Sequence, residues 1–119
     1  MYEGVLILES LKVGTVLADL SLVVREVRRV EVGGTSAEQP GVWSLLEFSV
    51  EEGERLAQVL ADALDAPGWY ADFRDERETF VVFPGRVFRY PRGDDAAREA
   101  AKEFGRGLRI PEAQLDWAR

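Results

Sequence analysis

Hydrophobic and polar positions change their period several times along this chain, and each change predicts an element. Gly4 to Glu9 and Leu22 to Val32 read as strands; in the second, Leu22, Val24, Val30 and Val32 share one alternating set that Glu26 and Arg28 interrupt. Gly33 through Gly41 is a polar loop, and Val42 to Phe48 reads as a third strand, paired with the second as a hairpin. Ser49 with Glu52 three residues later is a capping-box pattern, predicting a helix start. Leu56, Val59, Leu60, Ala63 and Leu64 then recur at the spacing of a single buried helical stripe, and Pro67 with Gly68 ends it.

Three short strands follow, Trp69 to Arg74, Thr79 to Phe83 and Arg86 to Tyr90, forming a meander. Pro84 and Gly85 suit a type II turn, whose twist opposes that of the flanking strands, so a bulge or longer loop is expected there. Asp94 caps a second helix that buries Ala97, Ala100, Ala101, Phe104 and Leu108 and ends among Gly105 and Gly107. Pro111 opens a last short turn carrying Leu115 and Trp117. The order is βββαβββα over residues 1–119. It predicts a single α+β domain: an antiparallel sheet of about six strands with two main helices packed on one face.

The meander's pairing sorts its side chains. If Phe83 lies opposite Arg86 and Arg74 opposite Thr79, one face carries Trp69, Ala71, Phe73, Phe80, Val82, Val87 and Arg89, an apolar set suited to packing on helices. The other carries Tyr70, Asp72, Arg74, Thr79, Val81, Phe83, Arg86, Phe88 and Tyr90, far more aromatic area than a solvated sheet face needs. Three occupants suit that second face: the chain itself, through its N-terminal strand or the tail with Trp117; a second copy; or a small ligand. For a ligand, Tyr70 and Tyr90 would supply walls, Arg74 and Arg86 would bind an anionic group, and Asp72 would orient an amine or hydroxyl. Tyr70, Asp72, Arg74, Val81, Phe83, Arg86, Phe88 and Tyr90 are therefore the candidate ligand or interface residues.

Composition narrows the chemistry. The 119 residues include no cysteine and no histidine, which removes thiol nucleophiles, disulfides, imidazole bases and the usual zinc and haem ligands. No glycine cluster has phosphate-cradling spacing, and no serine has a histidine partner or a Ser-x-x-Lys context. No catalytic residue, metal or cofactor is expected. Asp72, Asp75, Glu76 and Glu78 are interleaved with Arg74 and Arg77, as at a solvated hairpin tip rather than a cation site. A net charge of −7 disfavours nucleic acid and anionic membranes as partners, although residues 86–109 are locally basic. The apolar run Val5 to Leu8 is too short to span a membrane or serve as a leader, so a cytoplasmic location is expected. Thirteen arginines against two lysines is a bias typical of GC-rich bacterial coding sequence.

Trp69-Tyr70-Ala71-Asp72-Phe73, followed by Phe80-Val81-Val82-Phe83-Pro84-Gly85-Arg86-Val87-Phe88-Arg89-Tyr90, resembles the core of a group of small bacterial proteins of unassigned activity. The resemblance implies that the meander is that group's defining surface and carries over no catalytic residue or cofactor. The expected function is a non-enzymatic binding or regulatory module, homodimeric through the aromatic and arginine face. The alternative is a small enzyme or binding protein that holds an anionic metabolite in a Tyr/Asp/Arg-lined pocket.

Overall fold

Alternate residues of the C-terminal strands feed two separate hydrophobic cores, one on each side of a single sheet. The computed structural model describes residues 1–119. Its elements are β1 (Tyr2–Ile7), a 3-10 turn (Leu8–Ser10), β2 (Val23–Glu31), β3 (Val42–Val50), α1 (Gly53–Ala63), β4 (Ala71–Arg74), β5 (Glu78–Phe83), β6 (Arg86–Pro91), α2 (Asp95–Gly107) and a second 3-10 turn (Glu112–Gln114). The six strands form one antiparallel sheet in the order β2-β3-β1-β4-β5-β6, giving the expected α+β domain. No helix is long and apolar enough to cross a membrane.

The first core joins Leu6, Phe48, Val50, Phe73, Phe80 and Val82 to the buried stripe of α1, including Leu56 and Leu60, and to Leu64 at its C-cap. Phe73 and Phe80 stack with ring centroids 5.0 Å apart. The second core joins Val81, Phe83 and Tyr90 to Ala101 of α2 and to Ile110, Leu115 and Trp117 of the C-terminal tail. The two helices therefore lie on opposite faces, not on one. The cause is visible in Phe80 to Phe83, a continuous apolar run: Phe80 and Val82 point to one side, Val81 and Phe83 to the other, and both sides require cover.

Other local expectations change for definable reasons. Ser49 does not cap α1; β3 continues to Val50 because Phe48 and Val50 keep inserting into the first core, and Ser49 is buried within the strand. The N-cap residue is Glu52, whose side chain makes no capping bond. The helix starts at Gly53, where a Cβ would meet the Tyr2 ring at 2.7 Å. Asp94 does cap α2, accepting from the Ala97 N–H at 3.0 Å, while Ala100 faces solvent rather than the core. The turn between β5 and β6 has neither bulge nor extra length. Phe83 pairs directly with Arg86, Gly85 takes φ +74°, and its N–H donates to the Ala61 carbonyl of α1 at 2.9 Å.

Strand β1 sits in the middle of the sheet although it comes first in the chain. Gly4 permits this: a Cβ there would lie 2.6 Å from the Asp72 carbonyl oxygen and 2.7 Å from Phe73 Cβ, so β1 and β4 approach more closely than a side chain allows. Strand β2, at the sheet edge, is exposed for nearly its whole length, and a bulge at Arg25 breaks the even-numbered set that its alternation marks as inward: Val24 lies opposite Phe48 on the α1 side and Val30 opposite Trp43 on the other, while Leu22, just before the strand, packs against the first core.

Candidate functional site

On the α2 side of the sheet, cover is incomplete. The α2 helix lies over β5 and β6, and the tail crosses beside β4, held there by hydrogen bonds from several elements. Tyr70 Oη donates to the Gln114 carbonyl, Arg98 Nη2 donates to the Trp117 carbonyl at 2.6 Å, Trp117 Nε1 donates to Tyr90 Oη at 2.7 Å, and Gln114 exchanges amide bonds with Gln39 at 2.9 and 3.0 Å. Beyond Trp43, which is buried beside Trp69, no helix or tail segment covers the same face of β1, β3 and β2. Val5, on a central strand where a valine is normally enclosed, is 46% exposed.

Between the tail and this bare half-face runs a groove of about 600 Å³. Its floor is apolar, with Val5 and Ile7 from β1, Leu45 and Trp43 from β3, and Val30 from β2. The Trp43 indole stands edge-on to Trp69, centroids 5.3 Å apart, and donates to the Pro40 carbonyl at 2.9 Å, which fixes one end. Gln39 bonds the Gly68 carbonyl at 2.8 Å and so holds the 33–41 loop against the tail wall.

The ionisable groups lining the groove are Glu31, Asp72, Asp116 and Tyr70; no lysine or arginine lines it. Asp72 stands directly opposite Val5 across the β1–β4 pair. Its side chain is 26% exposed, no hydrogen bond holds its carboxylate, and the nearest cation, Arg74 Nη1, is 3.9 Å away. Burial pushes its pKa from 3.8 up to about 6, with Arg74 pulling it down and the neighbouring Asp116 charge adding to the rise. Burial likewise raises the Tyr70 phenol well above its ordinary value, Asp72 and Asp116 adding to the effect, so Tyr70 stays a neutral donor.

The expected recognition face thus divides. Tyr70 and Asp72 border the groove. Val81, Phe83 and Tyr90 are enclosed within the chain under α2 and the tail, which corrects the expectation that they form a free interface. Small apolar residues on one side of α2, Ala97, Ala101 and Gly105, let that helix settle onto Phe83, and Trp117 closes the rest. Phe88 is half-buried against Phe83 and Phe104. Arg86 lies over the Phe88 ring at 4.5 Å, on the sheet margin and away from the groove. Arg74 is half-buried beside Asp72 but does not line the groove. The two arginines therefore do not converge on an anion site. The acidic cluster also disperses: Asp75 caps its own turn, accepting from the Arg77 and Glu78 N–H groups. Glu78 accepts from Arg89 and Tyr2, which hold its carboxyl down to about 2.

Residues missed in the sequence are Val5, Ile7, Val30, Trp43, Leu45, Gln114 and Asp116, which meet only because β1 inserts between β3 and β4. No protein-family model, no curated protein and no solved structure matches this chain.

Proposed function

We propose that this chain is a cytoplasmic binding module that takes up a small organic cation with an apolar body in the groove between the tail and the bare half of the sheet. The observation that carries this reading is the pairing of Val5 and Asp72 on adjacent strands. An exposed apolar floor lies against a carboxylate without a hydrogen-bond partner, in a groove whose other charges, on Glu31 and Asp116, are also negative. The volume falls within the range usual for small-ligand sites. The ligand's apolar part lies along Val5, Ile7 and Leu45, and its ammonium group meets Asp72, with Asp116 adding to the attraction. An anionic ligand would face three like charges, so the sign of the ligand is reversed from the one expected of an arginine-lined pocket.

Amide NMR titration with phenethylamine, phenethyl alcohol and hydrocinnamate, matched in apolar body and differing in charge, tests the reading at neutral pH. The amine is expected to shift resonances of Val5, Leu45 and Asp72 at concentrations about tenfold lower than the alcohol, with the carboxylate weakest. Equal responses to all three, or none at these residues, would overturn it.

A further inference from the structure

The outer edge of β2 is long, unpaired and bare on both faces. Eight of its nine residues are exposed, among them Val23, Val24 and Val27, the last 59% accessible. A strand in this state presents its backbone as a template for another strand.

The backbone geometry limits what pairs there. The Val32 N–H donates to the Gly41 carbonyl at 2.8 Å, and antiparallel ladders alternate, so Val30, Arg28 and Glu26 also aim their backbone groups at β3. Val27, Arg29 and Glu31 aim theirs outward. When two copies pair antiparallel, outward groups must meet outward groups, which places the two-fold axis on a residue rather than between residues. An axis on Glu26, Arg28 or Arg29 would set two like charges directly opposite each other, which destabilises a sheet. An axis on Val27 sets valine against valine and places Glu26 opposite Arg28 on both sides. Glu26 and Arg28 already pair within one chain at 3.0 Å, so the same two groups exchange partners across the axis.

The next pair outward, and the last before the bulge in β2, is Arg25 with Arg29 of the other copy. The register shift between Val24 and Glu26 marks a bulge at Arg25 that separates them. Arg25 reaches Glu3 and Ser49 on the groove side of the sheet, whereas Arg29 donates to Ser44 on the α1 side. Their guanidinium groups point to opposite faces and do not meet.

We infer that two copies of this chain join along β2, antiparallel about a two-fold axis at Val27, merging their six-stranded sheets into one continuous sheet. Charge disfavours the axes on Glu26, Arg28 and Arg29, and an axis on Val30 would pair only Arg29 to Glu31 strand on strand, so the axis at Val27, the midpoint of β2, is the one selected. A two-strand seam is a small interface, so the dimer forms at protein concentrations on the order of 100 μM rather than in the nanomolar range.

The chain contains no cysteine, so a single one reports position cleanly. Under mild oxidation, Val27→Cys is expected to form a disulfide-linked dimer at least tenfold faster than Val16→Cys, although Val16 is the more exposed at 79%. In sedimentation, Glu26→Arg is expected to abolish the dimer, and adding Arg28→Glu to restore it. All of these positions are exposed, and circular dichroism checks that each variant keeps its fold. Crosslinking at Val27 no faster than at Val16, or a double variant no better associated than Glu26→Arg, would overturn the inference.

Discussion

Trp117 Nε1 donates to the phenol oxygen of Tyr90 at 2.7 Å, tying the end of the chain to the last strand of the sheet. The same indole stands edge-on to Tyr70, centroids 5.3 Å apart, so one side chain both closes the second core and props the groove wall.

Trp117→Ala is expected to destabilise the fold by about 3–5 kcal/mol, the range for truncating a buried aromatic. Tyr90→Phe, which leaves the indole N–H without its acceptor, should cost about 1–3 kcal/mol. Urea denaturation measures both, and in the Trp117 variant the resonances of Tyr70 and Gln114 should broaden even where the protein remains folded.

Two glycines of α2 should respond oppositely to alanine. At Gly105 a Cβ would meet Leu115 Cδ2 at 2.8 Å and the Phe83 ring at 3.2 Å, so Gly105→Ala is expected to lose about 1–2 kcal/mol. At Gly107 nothing lies within 4 Å, and Gly107→Ala is expected to be neutral or to gain up to about 1 kcal/mol from helix propensity. Thermal melts that moved the two variants in the same direction by equal amounts would contradict the packing described for α2.

Asp72 makes stability depend on pH in a defined direction. Its folded pKa of about 6 lies above its ordinary 3.8, so the fold favours the protonated acid. That contribution is complete below pH 3.8 and is lost as pH rises through about 6. Asp72→Asn removes it, so the stability difference between variant and wild type should shift in favour of the variant between pH 4 and 7. The change is at most about 2–3 kcal/mol. A difference independent of pH across that window would show that Asp72 ionises as freely as in the unfolded chain.

Glu78 acts with the opposite sign. Hydrogen bonds from Arg89 and Tyr2 hold its carboxyl at about 2, so the ionised form is favoured in the fold, and its contribution is lost as pH falls through that value. Because Arg89 is nearly half exposed, solvent screening limits the pair to about 1 kcal/mol or less in Glu78→Gln denaturation at neutral pH.

Local periodicity carried much of the fold. The stripe from Leu56 to Leu64 and the pairing of Phe83 with Arg86 and Arg74 with Thr79 depend on near neighbours, and the structure keeps both. The side on which α2 packs depends on what each face leaves uncovered. The continuous run Phe80 to Phe83 held that information, because a strand apolar at every position is buried on both sides. The groove was half legible: Tyr70 and Asp72 are read from the meander register. Val5 and Leu45 are read from nothing local, since their meeting with Asp72 requires β1 to enter between β3 and β4, and Gly4 is the sole sequence trace of that close approach.

The most direct test of the groove as a cation site is to titrate phenethylamine into wild type and Asp72→Asn at pH 5 and at pH 7.5. In the wild type the affinity should rise about tenfold as Asp72 ionises, while the variant should bind weakly and equally at both values. An Asp72→Asn protein that binds the amine as tightly as wild type at pH 7.5 would contradict the account.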